Sequence, residues 1–272
     1  PIKSSAASDV YKRQHIFNKN DFSYLTSIGN FGEGPEEITV MGCLAIDEAH
    51  HQLYVSDHAK QKIFSYDMDS VMVDSLYKPQ VKTAMNETLF PSEYQYINDT
   101  LSIAVLIKPT STSTFNQFLG RWNMNTGEMI PMKYTHPDIQ KKRITFAASE
   151  KAGIYVECYT RHDLMTICSL DGELLYNIYG PDWDGGNGNK LQSFGTVMIG
   201  NDKIFVSYCG EDYARDSFPT KILVFDLEGN YLKTLETGYK ISDCCYDSFN
   251  NRIILSLNDV VQFAYLDIDG II

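Results

Sequence analysis

Long apolar runs are missing from this chain: nothing in its 272 residues approaches the roughly 20 apolar residues of a membrane-spanning helix. Basic residues are also few, with 23 Lys and Arg against 35 Asp and Glu and a formal net charge of −12. No basic stripe of the kind a phosphate backbone requires is present, which argues against a nucleic-acid partner. Tryptophan is down to two residues, whereas tyrosine reaches 18. The six cysteines, Cys43, Cys158, Cys168, Cys209, Cys244 and Cys245, include no C-x-x-C pair and no Cys/His set at zinc spacing. Most fall in expected strands, where a thiol serves as a small hydrophobe, so they do not set the redox compartment.

What is present is a turn motif that recurs six times: Asn18 to Asp21, Asp67 to Ser70, Asn123 to Gly127, Ser169 to Gly172, Asp226 to Gly229 and Asp267 to Gly270. Each copy follows a run rich in apolar and aromatic residues, such as Ile63-Phe64-Ser65-Tyr66 or Ile222-Leu223-Val224-Phe225. Spacings of roughly 40 to 60 residues between copies, with strands alternating with tight turns, indicate a β-propeller. A composition of 43% hydrophobic and 12% aromatic residues suits half-buried strands and argues against disorder.

If each recurring turn joins the third and fourth strands of a blade, blades fall at about 43–80, 89–134, 144–181, 194–238 and 241–272. The turns between first and second strands are rich in Asp, Asn and Gly, which tolerate left-handed backbone or bond to their own main chain. His15-Ile16-Phe17 and Phe22 to Gly29 read as the last two strands of a blade whose first two are absent, and the final copy stops after its third strand. The preferred expectation is a six-bladed parent fold, cut to about five blades plus an N-terminal hairpin. The rival is a five-bladed ring closed by Tyr24 to Gly29. The opening stretch Pro1 to Gln14 has neither strand alternation nor a signal-peptide core. It resembles a translated sequencing adapter and is set aside as non-native, leaving 15–272 as a single propeller domain.

The segment Ser27 to Glu37, containing Gly32-Glu33-Gly34-Pro35-Glu36-Glu37, resembles the G-x-G-P-x-E linker of TolB-like and NHL-like six-bladed propellers. Lys62 to Lys78, Lys221 to Gly238 and Gln262 to Gly270 carry the same likeness, which extends from residue 15 to the end. Together they resemble uncharacterised exported propellers of gut anaerobes. That resemblance implies an export or lipoprotein signal, absent here, and a periplasmic or cell-surface location. It supplies no catalytic residues.

Strand direction then sorts the loops. The connections between second and third strands (B–C) and between blades (D–A) share one face, and all the expected long loops lie there: 30–42, 81–93, 110–117, 181–193 and 210–220. The A–B and C–D turns of the other face are expected to be uniformly short. Long polar loops on a rigid scaffold are where binding residues concentrate. The candidate ligand-binding residues are therefore Asp57, His58, Glu93, Arg143, Arg161, His162, Trp183, Asp212, Tyr213 and Asp243, with Glu211 and Arg215 alongside. Each taken singly is also explained as a solvated loop residue. Trp183 and Tyr213 offer flat surfaces suited to sugar rings or peptide side chains.

Other motifs are weaker. Gly32-Glu33-Gly34 lacks the Gly-Lys-Ser/Thr of a phosphate loop. Asp182 to Gly188 alternates oxygen-bearing residues, but has Gly at the third ligand position and no Glu at the twelfth position of a calcium loop. His50-His51 falls in an A–B turn, away from the loop-rich face. The expected function is a non-enzymatic scaffold binding a glycan, peptide or partner protein, with no cofactor and no metal. The alternative is a lactonase-type hydrolase holding a divalent cation, which requires several channel oxygens where the sequence offers Glu93 and Asp243 beside Arg143.

Overall fold

The computed structural model describes residues 12–74, 76–187, 191–212, 215 and 217–271. It is all-β, apart from a short helix and isolated turns: five propeller blades plus an N-terminal hairpin. The hairpin is β1 (Lys12–Phe17) and β2 (Tyr24–Asn30). The first blade runs β3 (Met41–Asp47), β4 (Gln52–Asp57), β5 (Lys62–Asp67) and β6 (Gln80–Ala84). The second is β7 (Phe90–Asn98), β8 (Leu101–Pro109), β9 (Phe115–Trp122) and β10 (Met129–Pro131). The third is β11 (Ile144–Ser149), β12 (Ile154–Tyr159), β13 (Leu164–Ser169) and β14 (Leu174–Tyr179). The fourth is β15 (Leu191–Gly200), β16 (Lys203–Asp212), β17 (Lys221–Asp226) and β18 (Tyr231–Glu236). The fifth is β19 (Ile241–Asp247), β20 (Arg252–Leu257) and β21 (Phe263–Asp267). Every sheet is an antiparallel meander in chain order, and no disulfide joins any of the six cysteines, all of which are among the described residues.

The recurring turns close as expected because their first side chain takes over backbone donors. Asp226 Oδ1 accepts from the N–H groups of Glu228 (3.0 Å) and Asn230 (2.8 Å), and Asn123 Oδ1 accepts from Asn125 and Thr126. Gly172 and Gly229 then sit at φ +87° and +85°, where a side chain would be strained. The turn after β5 departs from expectation. Asp67 makes the same contact, with Ser70 N at 2.8 Å, but no glycine follows to reverse the chain. Asp67 instead caps a helix, α1 (Met68–Val73), and the C–D face is not uniformly short. The long loops are also shorter than expected, because strands extend into them. For example, β7 begins at Phe90 and β16 reaches Asp212.

The chain divides into two compact units at Pro131/Met132. In the first, Cys43 and Tyr94 link innermost strands β3 and β7, and Trp122 packs edge-on against Tyr94 at 5.2 Å. Ile28 and Ile38 pack with Val55, Phe64 and Tyr66, seating the hairpin's β2 on the first blade. In the second, Thr145 Oγ1 donates to Gly195 O (2.5 Å) and Thr196 Oγ1 to Asp243 (2.7 Å), tying β11 to β15 and β15 to β19. Among the described residues, β1 and β2 form a sheet of their own and β19 to β21 a three-stranded one. The adapter-like stretch lies outside the described residues up to residue 11. Lys12 to Gln14 are part of β1, paired with β2.

Candidate ligand cleft in the second unit

The site begins with a charge that the fold buries. Strand β12 is buried along its whole length, and Glu157 within it is only 1% exposed. An uncompensated carboxylate there would be costly, and Lys142 reaches in to meet it, Nζ to Oε1 at 2.6 Å, while the Tyr159 hydroxyl donates to Oε2. With Lys142 turned inward, its neighbours Lys141 and Arg143 line a cleft of about 500 Å³. The β12–β13 turn adds Arg161 and His162, and the β14–β15 loop adds Gly185, Gly186 and Asn187.

Two close approaches hold that last loop in place. Buried Asp163, whose carboxyl is pushed above its ordinary range by desolvation, accepts from Asp182 N at 3.0 Å. Its carboxylate also lies so near Gly180 that a Cβ there would sit 2.1 Å from Oδ2. Gly186, at φ +87°, passes Asp138 O at a distance that leaves no room for a side chain.

His162 is 6% exposed, and its Nδ1 has no hydrogen-bond partner; the nearest acid, Asp184 Oδ1, is 3.9 Å away. Its ring lies 6.0 Å from Trp183, which also faces Tyr179 (5.1 Å) and His136 (5.5 Å). His136 Nδ1 accepts from Asp138 N, so Nε2 carries the proton and donates to the Tyr179 hydroxyl at 3.0 Å. Burial holds both imidazoles below their ordinary value, partly opposed by Asp138 for His136 and by Asp184 for His162.

Both histidines therefore favour the neutral form in the fold. Unfolded, they take up protons near pH 6.5, so their contribution is complete above that pH and is lost as pH falls through the lower folded values. The urea unfolding midpoint is expected to drop between pH 7 and 5, with a shallower slope in His136→Asn. Identical slopes in the two proteins would refute this.

Among the sequence-predicted residues, Arg143, Arg161 and His162 come together in the cleft, with Trp183 packed behind His162. Asp243, elsewhere in this unit, is exposed on β19 and accepts from Thr196. Asp212 is exposed at the end of β16, Glu211 pairs with Arg215 at 3.4 Å, and Tyr213 lies outside the described residues. In the first unit, Glu93 is exposed on β7. His58 packs edge-on against Phe90 and so close to Gly42 that a Cβ there would lie 2.1 Å from Nε2.

Asp57 is fully buried and serves the fold, accepting from Thr39, Val40, Ala59 and Lys60 N–H groups. The G-x-G-P-x-E linker beside it is likewise self-satisfied. Glu37 accepts from Gly34 N, and Lys60 Nζ donates to the carbonyls of Gly34 and Glu37, each at 2.5 Å. Asp182 is drawn to Asp163, and Asn187 bonds the Asp184 carbonyl, so the calcium-loop likeness resolves into loop structure.

Sequence reasoning missed His136, Asp138 and Lys141, because the 132–143 connection was not recognised as long. The available signal was the basic run Lys141-Lys142-Arg143 in an acidic chain. A larger groove of about 760 Å³ runs in the first unit beside β2, with Tyr24 and Tyr77 among its walls. Its Lys78 and Glu36 pair with each other at 2.8 Å. Among the described residues, no three His, Cys, Asp or Glu side chains cluster as a metal site, and no helix is long and apolar enough to cross a membrane.

Comparison with known proteins bears on the fold. Residues 8–120 match the profile of the DUF5128 family, described as a 6-bladed beta-propeller; the match takes in less than half of the chain. No curated protein matches the sequence. Among solved structures, a member of the DUF4221 family from Bacteroides vulgatus aligns with TM-score 0.60 at 10% identity, over 93% of this chain and 86% of that one. A protein of unknown function from Bacteroides caccae aligns at 0.54 and 12% identity, over 94% and 86%. The Cps50 (Swd1) beta-propeller domain of Myceliophteria thermophila aligns at 0.55 and 8%, over 93% and 88%. At these identities the likeness is one of fold. The chain is a β-propeller, similar in its first part to a six-bladed family.

Proposed function

We propose that this chain is a non-enzymatic binding scaffold of the TolB-like or NHL-like propeller kind, holding a glycan, peptide or partner protein through the B–C and D–A ends of its blades. The observation that carries this reading is the make-up of the second unit's cleft. Its walls come from one B–C turn (Arg161, His162) and two D–A connections (Asp138 to Arg143, and Gly185 to Asn187), the connection types in which sequence patterning concentrates loop length. Concave sites walled by several loops of a rigid frame are the usual form of a small-ligand pocket. The lactonase-type alternative has no comparable support, since the described residues offer it no cluster of three His, Cys, Asp or Glu side chains.

Screening the full chain against glycan and peptide arrays tests the reading. Saturable binding that Arg161→Gln abolishes would support it. Absence of binding to either array, or binding indifferent to the cleft, would defeat it. A periplasmic or cell-surface setting belongs to the same proposal, and fractionation of cells carrying the full gene would check it.

A further inference from the structure

We propose that the cleft of the second unit receives a uronate, the carboxylated sugar ring of an acidic glycan; this rests on the binding reading above. Charge gives the first reason. In a chain of net charge −12, Lys141, Arg143 and Arg161 line one cleft, where Asp138 is the acid among the described wall residues and Asp184 stands near His162. Concentrating cations against the sign of the whole protein favours an anionic ligand, and a guanidinium fork matches a carboxylate in two parallel hydrogen bonds.

The second reason is His162. It is more than nine-tenths buried, lines the cleft, and has an Nδ1 with no hydrogen-bond partner, Asp184 Oδ1 lying too far away at 3.9 Å. A buried polar atom left unpaired is unfavourable, and a ligand oxygen seated beside it would relieve that cost.

The third reason separates a sugar from an acidic peptide. Among the described residues, the rest of the wall is amide and bare backbone, from Gln140, Asn187, Gly185 and Gly186, with no aliphatic or aromatic anchor pocket. Peptide and protein recognition concentrates its affinity on buried apolar or aromatic anchors, which this wall does not offer. A pyranose, by contrast, presents hydroxyl groups all round, matched by amides and main-chain N–H and C=O groups. The volume, about 500 Å³, lies within the usual range of about 300–1,000 Å³ for small-ligand sites.

Calorimetric titration of the full chain with tri-galacturonate and with its neutral counterpart, galactotriose, tests the assignment. Sodium sulfate and a glutamate-rich hexapeptide serve as further probes. The acidic trisaccharide is expected to bind at least about tenfold more tightly than the neutral one. Arg161→Gln and Lys141→Gln are each expected to weaken it about tenfold, as loss of a charge-assisted hydrogen bond implies, with unchanged urea midpoints. Equal affinity for galactotriose would overturn the uronate assignment and leave the scaffold reading standing. So would tri-galacturonate binding indifferent to both substitutions, or preference for the hexapeptide or sulfate. Failure of every glycan and peptide to bind would overturn both.

Discussion

Glu157→Ala is expected to destabilise the second unit by about 3–5 kcal/mol, the range observed when one member of a buried ion pair is removed. The reason is the charge left behind: Lys142 Nζ lies 2.6 Å from Oε1, with 9% of the lysine side chain exposed and 1% of the glutamate. Desolvated and without its counter-charge, the ammonium must either remain unpaired or drag the 140–143 segment outward. Urea unfolding at neutral pH measures the loss. A second variant separates charge from packing: Glu157→Leu combined with Lys142→Met removes both charges and retains the volume. It is expected to recover most of the stability, because apolar replacements of buried pairs are often neutral or better. A cost under about 1 kcal/mol for the single substitution would mean that the pair behaves as a solvated surface bridge and not as a buried one. Ligand affinity should fall with Glu157→Ala as well, because Lys141 and Arg143 take their positions from the lysine between them.

Asp57→Ala is the counterpart in the first unit, with an expected cost of about 3 kcal/mol. Its carboxylate is 0% exposed and accepts from Thr39 N at 2.7 Å, Val40 N at 3.1 Å, Ala59 N at 3.0 Å and Lys60 N at 3.3 Å. Alanine leaves those donors without their acceptor, and the loop ahead of β3 loses its attachment to the β4–β5 turn. Asp57→Asn should cost less. Its carbonyl oxygen can replace Oδ1, which serves Val40, Ala59 and Lys60, but its NH₂ group would meet the Thr39 N–H donor to donor. The expected order of urea midpoints is wild type, then asparagine, then alanine. Asparagine as damaging as alanine would show that charge, rather than acceptor count, holds the loop.

These two acids also show what the sequence made legible. Both are carboxylates at or near the end of a second strand. From sequence, Asp57 is expected to be a ligand contact, because a charged residue after a strand usually faces solvent. Its inward turn depends on backbone donors from Thr39 and Val40, far away in sequence. Glu157 carried a clearer signal: a lone acid within Ile154-Tyr155-Val156-Glu157-Cys158-Tyr159 needs a cation, and a basic run lies just ahead of β11.

Local chemistry was read more reliably. The repeated turns rest on an Asp, Asn or Ser bonding the next few N–H groups, which a sequence displays directly, so the blades fell within a few residues of their observed places. Where glycine was missing after Asp67, the same chemistry started α1 instead. Arg143, Arg161 and His162 were found because loop class follows from strand direction. Lys141 is not legible for two reasons: nothing marks the 132–143 connection as long, and alternation within a loop is not fixed until one residue, here Lys142, is known to point inward.

The two tryptophans fall one to each unit, which gives the protein a built-in pair of optical probes. Trp122 is 1% exposed, edge-on to Tyr94, and its emission should stay blue-shifted until the first unit opens. Trp183 is half-buried between His136 and His162, rings whose protonation would quench it. Emission from Trp122→Phe protein would therefore report acidification and cleft occupancy, whereas Trp183→Phe protein would follow only the melting of the other half.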